Sequence, residues 1–162
     1  MSVKLSTRGR EPQTHQQTAP DLFPSFFLGG FECSTMRLRS RKHRLDMVAA
    51  THHDTFALQD YLRLQKRSVR TTREGLRWHL IESKPGHYDF SSALAQLRAA
   101  QKTDSRIIWD LFHYGYPDFI NILKPEFVAS FAAFARAFAR FLKDETDDVP
   151  FIAPVNEPSF FC

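Results

Sequence analysis

The sequence predicts an α/β fold built on a parallel sheet. Three observations carry this. Short apolar or β-branched runs alternate with longer stretches of helical periodicity, in the order β, α, β, α, β, α, β. Turn-forming clusters separate these segments, Lys84-Pro85-Gly86-His87 being the clearest. A chain of 162 residues, 43% hydrophobic and 25% charged, has the size and composition of one soluble domain. Sixteen Phe, four Tyr and two Trp exclude a disordered chain, because so many rings need a core.

Residues 1–21 read as a flexible polar tail, rich in Gln, Thr, Ser and charge and without periodicity. They lack the apolar stretch of a signal peptide, so the expected location is cytoplasmic. No apolar run reaches the 18 residues or so of a membrane span, so no membrane association is expected. Residues 22–162 form the expected domain. Phe26-Phe27-Leu28-Gly29-Gly30-Phe31 is a short apolar run suited to a first, buried strand. Asp54 is placed to cap a helix over 55–67, with Phe56, Tyr61, Leu62 and Leu64 on its apolar side. Ser68–Arg73 is β-branched and short, a second strand. Leu76–Ile81 leads into the Pro-Gly turn. Ser91 or Ser92 is placed to cap a helix over 92–102, striped by Leu94, Leu97 and Ala100. Ile107–Phe112 is a third strand. Pro125 opens a helix over 126–143, where Phe127, Phe131, Phe134, Phe138 and Phe141 recur at helical spacing. Phe151–Val155 is a fourth strand.

Strands alternating with helices imply βαβ units with right-handed crossovers. Four strands are too few to close a parallel barrel, and a (β/α)8 barrel takes about 250 residues. The chain ends on Phe160-Phe161-Cys162, directly after the fourth strand. The expectation is the N-terminal part of a (β/α)8 TIM barrel, about four βα units, truncated after the fourth strand. Open sheet edges would then favour self-association.

Charge is unevenly placed. Residues 1–50 hold eight Lys/Arg against four Asp/Glu, and the remainder holds fourteen of each. Most of the excess lies in Arg37-Leu38-Arg39-Ser40-Arg41-Lys42-His43-Arg44. Such a run can bind phosphate or nucleic acid, or be a solvated loop. It has no interleaved aromatic residues for stacking on bases, so no nucleic-acid partner is expected. Cys33 and Cys162, far apart, imply neither a disulfide framework nor a metal cluster. No metal and no cofactor are expected.

The sharpest chemical signal is Val155-Asn156-Glu157-Pro158. Proline disfavours the α region for the preceding residue, so Glu157 is expected extended at a strand end. In a barrel, active sites lie at the C-terminal ends of the strands. An amide beside a carboxylate suits a sugar: one binds a hydroxyl, the other moves a proton. His113 falls at the same level of the third strand, followed by Tyr114 and Tyr116; it is either a site residue or a satisfied core histidine. Arg73 comes from the second strand, with Trp78 five residues on. It either pairs with a catalytic carboxylate or forms a barrel-floor salt bridge. Glu32 follows the first strand, as a site or a surface acid.

Taken together, these residues resemble the N-terminal half of family 1 glycoside hydrolases, the β-glucosidase-like enzymes of clan A, from about Phe26 to the chain end. Leu28-Gly29-Gly30-Phe31 is similar to that family's first-strand glycine segment. Asp60, Arg73 and Trp78 resemble its pattern of a helical acid followed by a strand reading Arg-x-Ser-x-x-Trp. Leu111-Phe112-His113-Tyr114 and Val155-Asn156-Glu157-Pro158 resemble its third- and fourth-strand motifs, and Pro85–Ser91 a turn frequent in the clan. The sequence departs from the pattern at three places. Glu74 and Gly75 follow Arg73, Tyr114 replaces a usual Trp, and the first-strand sugar-binding Gln has no clear counterpart, Glu32 lying nearby.

The resemblance implies a retaining β-glycosidase acting on a carbohydrate, with Glu157 as general acid/base. It implies Asn156 on the sugar 2-hydroxyl and His113 on another hydroxyl. Tyr114 and Glu32 join the substrate-binding set, and Arg73 and Trp78 support it. The family's nucleophile lies on the seventh strand, beyond this chain, so the chain alone is expected to be inactive. The alternatives are a non-catalytic carbohydrate-binding half-barrel or another clan A glycosidase. A phosphate-binding α/β domain is disfavoured, since no strand leads into a loop of the G-x-G-x-x-G type.

Overall fold

The computed structural model describes residues 22–38 and 43–161. The expected tail, Arg39–Lys42 of the basic run, and Cys162 lie outside them. Four strands form one parallel sheet in chain order: β1 (Gly29–Gly30), β2 (Thr71–Gly75), β3 (Arg106–Asp110) and β4 (Phe151–Ala153). Between them run α1 (Met47–Ala50), α2 (His53–Gln65), α3 (Trp78–Ile81), α4 (Ser91–Lys102) and α5 (Glu126–Glu145). Among the described residues no helix is long and apolar enough to cross a membrane.

Several boundaries differ from expectation, each for a local reason. The first strand is only Gly29–Gly30, and Phe26 and Phe27 before it are exposed. Asp54 does not cap α2, which begins at His53; it sits in the first turn and accepts from Arg77 Nη1 at 3.2 Å. The second strand starts late because Ser68 takes a left-handed φ of 58° in the turn that ends α2, where Val69 N donates to Leu64 O at 3.1 Å. Neither serine caps α4; instead Asp89 Oδ1 accepts from Ser91 N at 2.9 Å. The helix after Pro125 forms as its phenylalanine spacing demands and runs on to Glu145.

Alternation along the strands gives the sheet two unlike faces. On the helix side, Thr72 and Glu74 of β2 meet α2, and Trp109 of β3 packs edge-on against Phe138 of α5 at 5.3 Å. Phe134, Phe138 and Leu142 bury the inner stripe of α5. The opposite face carries Arg73 and Asp110, whose side chains bond each other across β2 and β3. The strands therefore deliver polar groups to the uncovered face while the helices dry the other.

The helix side also holds a buried ionic cluster. His53 offers Nδ1 to Asp60 Oδ2 at 2.9 Å and Nε2 to Glu74 Oε1 at 3.0 Å. Two carboxylate acceptors on two ring nitrogens require an imidazolium with both N–H groups donating. Tyr61 OH donates to the same Glu74 oxygen at 2.9 Å and accepts from Thr72 Oγ1. Phe31 stacks on the His53 ring at 3.7 Å. Burial by itself lowers the His53 pKa, but the hydrogen bonds and charges of Glu74 and Asp60 outweigh it and raise the pKa above 6.5. The stabilisation is therefore complete below the unfolded-state pKa and is lost as pH rises through the raised native one. The urea midpoint of the native protein should exceed that of His53→Gln most at pH 5.5, and the gap should narrow toward pH 8.5. A gap that widens with pH would contradict the charged assignment.

Candidate active site

The sequence places Arg73 on the uncovered face of β2, and the parallel register sets Gly75 opposite Asp110. Arg73 Nη2 donates to Asp110 Oδ2 and to Asn156 Oδ1, each at 2.5 Å. The guanidinium fixes the orientation of the Asn156 amide, whose Nδ2 then donates to Tyr114 OH at 2.8 Å. Tyr114 OH in turn donates to Glu157 Oε2. That hydrogen bond, first among the causes, holds the Tyr114 proton on and raises its pKa. One chain of contacts thus runs from the sheet to the carboxyl group: Arg73, Asn156, Tyr114, Glu157.

Glu157 departs from its expected backbone. It stands before Pro158 yet adopts a left-handed φ of 42° instead of an extended one. A 3-10 turn, Pro158–Phe161, starts there, and Glu157 O accepts from Phe160 N at 2.8 Å. The turn folds the carboxylate back toward Tyr114, itself left-handed at φ 67°. Asn156 and Glu157 consequently line the same cleft although they are neighbours in sequence.

That cleft, about 480 Å³, is lined by Glu32, Ser34, Leu45, Met47, His113, Tyr114, Asn156 and Glu157. Glu32 accepts from Ser34 N at 3.0 Å, and this hydrogen bond chiefly lowers its pKa. The segments after β1 and β3 close against each other here, with Thr35 N donating to His113 O at 3.3 Å. Gly115 permits it: a Cβ there would lie 1.8 Å from Thr35 Oγ1. His113 Nδ1 lies 3.1 Å from both Asp110 Oδ2 and Cys33 Sγ. A carboxylate only accepts, so Nδ1 carries a proton toward Asp110, and Nε2 is the ring nitrogen left for another partner.

Trp78 does not join this set. It is fully buried on the helix side, stacked on Phe134 at 4.6 Å, with Nε1 donating to Glu82 Oε2 at 2.7 Å. Tyr116 also lies outside the cleft and lines the cavity beside it. Two residues without a role in the sequence reading prove central: Asp110, fully buried between Arg73 and His113, and Cys33. The available signal for Asp110 is its place at a strand end, two residues from Ile108 on the same face. Cys33, Asp110 and His113 hold ligand-type atoms within 4.8 Å of one another. Arg73 already bonds the Asp110 oxygen that faces His113, and a guanidinium there opposes a cation. Burial pushes the Cys33 thiol up to about 12, so it stays protonated.

A parallel sheet with helices on one face and a polar cleft at its strand ends defines the architectural class, α/β with βαβ connections. Among solved structures, it matches the exo-β-1,4-mannosidase Op5Man5 from Opitutaceae bacterium strain TAV5, with a TM-score of 0.64 and 21% sequence identity. The match covers 84% of this chain and 25% of that one, so the chain spans a quarter of that enzyme's length. The likeness is one of fold, and the fold is one a glycosidase uses. No protein-family model and no curated protein sequence matches the chain.

Proposed function

We propose that this chain is the sugar-holding, proton-delivering part of a retaining β-glycosidase, the N-terminal portion of a (β/α)8 barrel akin to the family 1, β-glucosidase-like enzymes. The observation that supports this most is the connected set that runs from Arg73 to Asn156, Tyr114 and Glu157, the last three lining one cleft with His113 and Glu32. Glu157 protonates the leaving oxygen and then takes the proton from the attacking water. Asn156 holds the sugar 2-hydroxyl, a contact that strengthens in the oxocarbenium-like transition state. His113 meets a neighbouring hydroxyl through Nε2, and Glu32 accepts from another. Tyr114 steadies the Glu157 carboxyl, and Arg73 steadies the amide. The nucleophile is a second carboxylate about 5–5.5 Å from the first. The family resemblance assigns it to the seventh strand, which these residues do not include.

The test is binding of cationic iminosugars, whose ammonium mimics the charge of the transition state. Both gluco- and manno-configured compounds should be titrated by NMR against the 162-residue chain, since the fold neighbour is a mannosidase by name. Saturable binding is expected, weakened about tenfold by Asn156→Ala and by His113→Ala, as loss of one well-placed hydrogen bond implies. Binding indifferent to both substitutions would defeat the proposal.

A further inference from the structure

The charged groups of the uncovered face converge on a single oxygen. Asp110 ends β3, a strand flanked on both sides, with Gly75 and Ala153 as its cross-strand neighbours. The peptide that follows it is held from both directions: Asp110 O accepts from Leu76 N at 2.9 Å, and Leu111 N donates to Ala153 O at 3.0 Å. The side chain is fully buried and is not among the residues that line the cleft. Its Oδ2 nevertheless meets both arms that reach there. His113 Nδ1 lies 3.1 Å from it, and Arg73 Nη2 donates to it at 2.5 Å. The same Arg73 nitrogen donates to Asn156 Oδ1, also at 2.5 Å. The other carboxylate oxygen, Oδ1, is buried with no hydrogen-bond partner among the described residues. A buried carboxylate left half satisfied is a poor choice for stability alone, since apolar residues often replace a buried ion pair without loss.

We propose that Asp110 is a positioning residue of this cleft: its one oxygen sets which nitrogen of His113 is left for the substrate and anchors the arginine that orients Asn156. What those two side chains hold rests on the glycosidase reading above. A carboxylate that accepts from Nδ1 keeps a proton there and leaves Nε2 for the cleft. Cys33 supplies the contrast. Its Sγ is the same 3.1 Å from Nδ1, and its thiol stays protonated, so it can donate where Asp110 can only accept. Without the carboxylate, Nδ1 would take the thiol's hydrogen bond, the ring proton would move to Nε2, and the edge offered to the substrate would change. Anchoring on the middle of the sheet rather than on a loop gives both contacts one fixed origin.

The experiment reads the His113 ring directly, by nitrogen-15 NMR of the imidazole in the 162-residue chain at pH 8.5, its signals assigned by their loss in His113→Ala. In the native chain Nδ1 should carry a proton; in Asp110→Asn the proton should sit on Nε2. Asp110→Asn should also weaken iminosugar binding about tenfold, the size of one well-placed hydrogen bond lost at one remove. The losses from Asp110→Asn and His113→Ala should combine to less than their product, because both remove the same contact. Where Asp110→Asn alone leaves Arg73 without its anion and does not fold, Arg73→Gln added to it removes both charges and keeps the ring measurable. A native ring with its proton only on Nε2, a tautomer indifferent to Asp110→Asn, or a moved tautomer with unchanged affinity overturns the proposal. So does a full product of the two losses. A chain that binds no iminosugar but moves its His113 proton with Asp110→Asn removes the glycosidase reading and upholds the hold of Asp110 on the ring.

Discussion

Replacing Glu157 by Gln is expected to lower hydrolysis of aryl β-glycosides by about 10²–10⁴-fold wherever this cleft is joined to its second carboxylate, the range that general acid/base help supplies. The loss should depend on the leaving group. A poor leaving group needs the proton and should suffer most. A dinitrophenolate leaves without it, so the first step should survive while the second, which needs a base to activate water, slows. Added azide should then restore turnover by attacking the glycosyl-enzyme without base help. The 162-residue chain alone should turn over neither a chromogenic β-glucoside nor a β-mannoside. Turnover by the chain alone that Glu157→Gln abolishes would place a nucleophile within it, with Glu32 the first to mutate, since it lines the same cleft. Turnover indifferent to Glu157→Gln would remove the assignment of the acid.

Trp78→Ala should destabilise the fold by about 3–5 kcal/mol, the cost of emptying a large aromatic site. Trp78 is fully buried, stacked on Phe134 and set edge-on to Phe112. Its removal opens a void between α3 and α5 and leaves Glu82 Oε2, also buried, without its indole donor. Against a typical total stability of about 5–15 kcal/mol, that loss is large. Urea unfolding measures it, and Trp78→Phe should recover most of the packing but not the hydrogen bond. A loss under about 1 kcal/mol would contradict this account of the core. Iminosugar affinity in folded Trp78→Phe should match the native protein's, because the indole lies across the sheet from the cleft.

The parts of this molecule legible from sequence are those set by short-range patterns. Phenylalanines at helical spacing define α5, and alternation of strand and helix gives the parallel order. Strand-end positions point to His113, Asn156 and Glu157 as neighbours, and all three line the cleft. What was not legible depends on pairing between distant segments. Asp110 matters because the β2–β3 register sets it opposite Gly75, within reach of the Arg73 side chain, and no local pattern announces a register. Cys33 reaches His113 only because Gly75 leaves it room; a Cβ there would lie 2.4 Å from its sulfur. Trp78 reads as a site neighbour of Arg73, but α3 turns it into the helix layer. The pre-proline rule gave the wrong backbone for Glu157, where the turn and Tyr114 outweigh a local preference.

The left-handed backbone at Tyr114 and Glu157 has an evolutionary consequence. A side chain in that conformation costs roughly 1–2 kcal/mol relative to glycine, which adopts it freely. Glycine at either position would relieve the cost, and glycine at Glu157 would delete the carboxyl group that Tyr114 bonds. Selection for robustness alone would therefore push both positions toward glycine and strip the cleft of both polar side chains. Where these two side chains persist in a lineage, something other than stability is maintaining them.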